Sequence, residues 1–116
     1  MQIINLRCFM FHHMRFCYKG DDGLEQLDEL KILQNRLESE RDINNVIYCT
    51  IEEMSEVTKV LTKFLRNSSK FSINDLTEEL AHSFLMLDVI KNRFNIKDED
   101  IRHEKLLALK KCFKDN

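Results

Sequence analysis

Glu52, Glu53 and Glu56 stand at i, i+1 and i+4 in the run Ile51-Glu52-Glu53-Met54-Ser55-Glu56, and Glu79 and His82 follow within Glu78-Glu79-Leu80-Ala81-His82. On a helix the first set stacks carboxylates on neighbouring turns, where like charges repel unless a cation sits among them. Mg²⁺ takes oxygen ligands and is commonly held by one or two protein carboxylates together with waters and substrate phosphates. Such an ion bridges phosphate oxygens and lowers the pKa of an attacking water. The question for the rest of the chain is whether two helices face each other to hold such an ion, or whether these carboxylates form only a solvated acidic face.

The chain supplies helices readily. It has no Pro and only two Gly, Gly20 and Gly23, so nothing interrupts a helix after residue 23 and few turns remain for a sheet. The expected class is all-α. Asp22-Gly-Leu-Glu25 has the form of a capping box, and Leu24, Leu27, Leu30, Leu33 and Leu37 recur at helical steps to about Arg41. A second helix is expected from about Ile43 to Arg66, with Ile47, Ile51, Met54, Thr58, Leu61 and Leu65 on one stripe. At about 100° per residue, Glu52 and Glu56 point away from that stripe, while Glu53 sits at its flank beside Val57, Val60 and Phe64.

Arg66-Asn67-Ser68-Ser69-Lys70 reads as a loop, and Ser72, Asn74 or Asp75 can cap a third helix that runs to Phe94 or Asn95. Leu76, Leu80, Phe84 and Leu87 line one side of it, and Leu85, Met86 and Val89 cover another. A helix apolar on nearly all sides is expected to be buried from two directions. Glu79 and His82 fall on the second apolar side, next to Met86 and Ile90, where an unpaired charge is costly. A last helix begins at Asp98-Glu-Asp-Ile101, with Lys110 and Lys111 near its end, both favourable to the helix dipole.

At 116 residues the chain is one domain, spanning 21–116, preceded by an apolar N-terminal arm at 1–20. Met14 could equally serve as an internal start, which would make the first residues dispensable. Cys8, His12, His13 and Cys17 match no common zinc spacing, so the arm is expected to pack on the body or on a partner subunit. The net charge of -2 gives no nucleic-acid-binding signature, and no stretch has the length and lack of charge of a membrane span or signal peptide. With four scattered cysteines, the expectation is a reduced, cytoplasmic protein.

The acidic helix by itself has a plainer explanation. Glu56 and Lys59 form an ordinary i, i+3 pair, and Lys59 and Lys63 can balance an exposed face. Glu79 and His82 on an apolar side fit that explanation less well, although a buried histidine bonded to a glutamate is a common structural solution.

The pattern Glu52-Glu53-x-x-Glu56, a spacer, then Glu79-x-x-His82 resembles the EExxE...ExxD signature of MazG-like nucleotide pyrophosphohydrolases, whose all-α relatives include dimeric dUTPases and phosphoribosyl-ATP pyrophosphohydrolases. The resemblance covers about residues 24 to 111, and the run Phe84-Leu-Met-Leu-Asp-Val-Ile-Lys-Asn-Arg-Phe-Asn-Ile96 is similar in style to small phage and bacterial members. It implies a four-helix bundle completed by dimerisation, or a tetramer, that cleaves a nucleoside triphosphate to a monophosphate and pyrophosphate with Mg²⁺. It also implies that Glu53, Glu56, Glu79 and His82 hold the metal, while Glu52 is the catalytic carboxylate that supports the ligands or orients the water.

The family's last ligand is an aspartate, and His82 stands there in this chain. Imidazole removes one negative charge and is a softer donor, so Mn²⁺ is an expected alternative to Mg²⁺. Three outcomes follow: an enzyme with altered metal affinity, a site with fewer metals, or a degenerate site in a non-catalytic module that binds nucleotide or a protein partner. Lys91, Arg93 and Lys110 are the candidates for contacting the phosphate tail, among many basic residues that serve as surface charge.

Overall fold

The computed structural model describes residues 23–114. The expected arm at 1–20, with Cys8, His12, His13 and Cys17, lies outside the described residues, as does Asp22 of the first capping box. Four helices follow in order: α1 (Gly23–Glu40), α2 (Ile43–Leu65), α3 (Ile73–Arg93) and α4 (Asp98–Cys112). Among the described residues there is no strand, and no helix is long and apolar enough to cross a membrane.

The helix boundaries follow from local chemistry. The Asp42 carboxylate accepts a hydrogen bond from the Asn44 amide at the start of α2, and the Ser72 hydroxyl accepts one from the Asp75 amide at the start of α3. Each satisfies an amide that the first helical turn leaves without an intrahelical partner. Both helices end on an asparagine in the left-handed region, Asn67 and Asn95, each with φ 55°. The next amides reach back to close the ends, Ser68 to Lys63 O at 3.0 Å and Ile96 to Lys91 O at 2.9 Å. This pattern stops a helix without Gly or Pro.

The main packing is α2 against α3, and α1 lies on α3 as a third element. Val46 and Cys49 from α2 meet Met86 and Val89 from α3, with Leu37, Leu85 and Ile90 packed around them. Met86, Val46 and Val89 are fully buried, and each contributes about 1.5–3 kcal/mol by leaving water.

Two expected apolar faces lie elsewhere than on the core. The buried residues of α2 are Val46, Cys49, Thr50, Glu53 and Val60, a face about 100° round the helix from the Ile51, Met54, Leu61 and Leu65 stripe. That stripe is exposed, up to 77 % at Leu65, because among the described helices α2 packs only against α3 and turns the stripe away from it. On α1, Leu27, Leu30 and Leu33 are exposed and Leu37 is half-buried. The anchoring contacts of α1 gather in its last turns, where Asn92 donates to Glu38 Oε1 at 2.7 Å.

The third helix is also more open than its composition suggests: Phe84 and Leu87 are exposed. Among the described residues α4 packs along no other helix and buries no residue. Its tie to the body is the Lys91 ammonium donating to the Asp98 carboxylate.

Candidate metal centre

The core face of α2 carries one carboxylate, Glu53, at its middle. Taking 100° per residue from Val46, Glu53 lies within about 20° of the centre of the buried face, while Glu56 lies about 80° and Glu52 about 120° to one side. Accordingly Glu53 is fully buried, and Glu52 and Glu56 are half-buried. On α3, Glu79 and His82 are on consecutive positions of the same face as Met86 and Val89, so they meet Glu53 across the helix pair.

The three side chains converge. His82 Nδ1 is 3.3 Å from Glu53 Oε2 and 3.9 Å from Glu79 Oε2, and one ligand atom from each residue lies within 4.8 Å of the other two. The side chains of His82 and Glu79 are 21 % and 16 % exposed and that of Glu53 is fully buried, while the facing atoms Glu53 Oε2, Glu79 Oε2 and His82 Nδ1 are all shielded from solvent. None of Glu53, Glu56, Glu79 and His82 is without a partner.

Electrostatics follow the geometry. His82 is held above its ordinary pKa of 6.5, chiefly by its hydrogen-bonding contact with the Glu53 carboxylate; burial opposes this, and the charges of Glu53, Glu79 and Glu78 add to it. Cys49, one turn before Glu53, has its thiol pushed up by burial and by the nearby Glu52 charge. Cys49 lies outside the three-residue group.

No protein-family model, curated protein or solved structure matches this chain. What the centre can do is set by its own atoms. Two carboxylates and an imidazole gathered within 4.8 Å of one another are a donor set for a divalent cation, since each can supply a lone pair and together the carboxylates offset the ion's charge. The residues fit a metal in number, in type and in mutual distance.

The other expected site residues are placed differently. Glu56, on the adjacent turn, pairs with Lys59 Nζ at 3.3 Å and is not in the three-residue group. Glu52 is also outside that group. Lys91 is tied to Asp98, and Arg93 Nη1 donates to the carbonyls of Glu38 at 2.9 Å and Arg41 at 2.6 Å, closing the end of α1. Measured along α3, Lys91 and Arg93 stand about 14 and 16 Å beyond His82. Lys110 is exposed on α4.

Ser83 was not among the residues singled out by sequence. It is buried one turn beyond Glu79, and its hydroxyl makes no hydrogen bond among the described residues. Its i+4 spacing from Glu79 was the available signal, but a serine within a leucine-rich helix carries little information alone.

Proposed function

We propose that this protein is a divalent-metal-dependent nucleoside triphosphate pyrophosphohydrolase, converting a (d)NTP to a (d)NMP and pyrophosphate. The observation that supports this most is Glu53, fully buried at the α2–α3 interface yet with a ligand atom within 4.8 Å of one each from Glu79 and His82. The resemblance of Glu52-Glu53-x-x-Glu56 and Glu79-x-x-His82 to the MazG-like signature supplies the reaction class.

In this reading Glu53, Glu79 and His82 would hold a cation, Mg²⁺ or Mn²⁺, whose chemistry would be to neutralise phosphate charge and acidify a water. Water would add to the α-phosphorus as the bond from that phosphorus to the α–β bridging oxygen breaks, the electron pair leaving with pyrophosphate and the water's proton passing to a carboxylate or to solvent. Glu56 as a further ligand and Glu52 as the water-orienting group are assigned by resemblance. A homodimer is part of the same proposal: the exposed stripe of Ile51, Met54, Leu61 and Leu65 and the unpacked α4 offer apolar surface to a second copy. A helix of 15 residues is marginal in water without a partner.

A second reading is favoured by that same surface: a non-catalytic helical module that binds a protein through α2 and α4. Purified protein incubated with each dNTP and Mg²⁺ or Mn²⁺, scored for pyrophosphate, separates the two. Turnover lost in Glu53→Gln and Glu79→Gln supports the enzyme. No pyrophosphate with either metal leaves the binding module.

A further inference from the structure

The donor set of the α2–α3 centre, and the number of donors, carry more than the presence of a metal. A cation with bonds of about 2.1 Å sets adjacent ligands about 3.0 Å apart in octahedral and about 3.4 Å apart in tetrahedral coordination. The separations here are 3.3 Å for Glu53–His82 and 3.9 Å for Glu79–His82, and one ligand atom from each residue lies within 4.8 Å of the others, a spread that small side-chain rotations would draw onto one ion. Paired metal ions stand about 3.5–4 Å apart and need ligands for each. The next carboxylate on α2, Glu56, is outside the group and pairs with Lys59. Two carboxylates balance a single divalent charge.

The third donor is a nitrogen. Mg²⁺ prefers six oxygens and gives up water reluctantly, whereas imidazole suits Zn²⁺, Fe²⁺ and Ni²⁺ and rises in affinity along the first-row order. Resting on the location of the site in the proposed function, but not on turnover, we infer that Glu53, Glu79 and His82 hold a single first-row transition ion in preference to Mg²⁺. Three protein ligands would leave further coordination positions open, as in catalytic rather than structural centres.

The test uses the metal-stripped full chain, titrated separately with Zn²⁺, Co²⁺, Mn²⁺ and Mg²⁺, with the visible absorption of bound Co²⁺ as a second readout. Zn²⁺ binds more tightly than Mg²⁺ to most sites, so the decisive quantity is the change on substituting His82. The expected result is one equivalent bound, with a Zn²⁺-to-Mg²⁺ affinity ratio that falls at least tenfold in His82→Asp. The Co²⁺ spectrum should change in both His82→Asp and His82→Gln, with circular dichroism reporting that each variant keeps its helices. Should either variant lose its helices, the wild-type stoichiometry and a nitrogen signal from Mn²⁺ or Cu²⁺ in pulsed electron paramagnetic resonance take their place. Two equivalents, an unchanged affinity ratio, or no imidazole nitrogen on the ion overturns the inference. Tight single-ion binding without pyrophosphate release instead defeats the enzymatic reading and leaves this one standing.

Discussion

Glu53 Oε2 and His82 Nδ1 face each other at 3.3 Å across the α2–α3 interface, and Glu53 is completely buried there. The histidine is thus both a partner to a buried carboxylate when it carries its proton and a ligand that must give up that proton for a metal. The two roles exclude each other, and that exclusion shapes the first two predictions.

In metal-free protein, His82 titrates above 6.5 when folded because of Glu53. A group with a raised folded pKa stabilises fully below its unfolded value, and the contribution is lost as pH rises through the folded pKa. Thermal unfolding in chelator should therefore show stability falling as pH is raised from about 6.5 through that higher value. His82→Gln should flatten this dependence. Metal affinity runs the other way and should rise over the same window, as the proton leaves Nδ1.

His82→Asp gathers three carboxylates around one point. Without metal it should unfold at lower temperature than wild type, because like charges in a half-buried group repel. Adding Mg²⁺ should recover more stability in this variant than in wild type, and should raise Mg²⁺-supported pyrophosphate release. A fall in that activity would assign His82 a role beyond holding the ion.

Glu53→Gln and Glu79→Gln keep shape and remove charge. Charge stabilisation by a bound metal is worth several kcal/mol, so loss of the ion should lower pyrophosphate release by about a hundredfold or more. Glu52→Gln and Glu56→Gln, outside the three-residue group, are expected to have smaller effects on metal affinity, measured by the same titrations.

Arg93 donates to the carbonyls of Glu38 and Arg41 at the end of α1. Hydrogen bonds from a charged donor contribute about 1.5–3 kcal/mol, so Arg93→Ala should lower stability by about that amount and expose the α1–α2 junction to proteolysis. A structural role leaves KM for nucleotide unchanged, whereas a phosphate contact raises it.

Met86 is fully buried against Val46, Cys49 and Val89. Met86→Ala should destabilise by about 2–5 kcal/mol in chemical denaturation, because a small two-helix core cannot easily close the cavity.

The chain's own pattern determined the helical class and all four helices, because these follow from local causes: the lack of Pro, a cap at Ser72, and apolar residues at helical steps. It also put Glu79 and His82 on an apolar side of α3. The face that α2 turns inward was a different matter. Periodicity favoured the stripe of Ile51, Met54, Leu61 and Leu65, yet the packed face is the one with Val46, Cys49 and Glu53. A helix with apolar residues on two sides has two candidate inner faces, and local sequence does not rank them. The partner does: Met86 and Val89 complement Val46 and Cys49, and that choice carries Glu53 into the interior and leaves Glu52 and Glu56 at its edge. The tertiary structure therefore decided which of three adjacent glutamates meets Glu79 and His82.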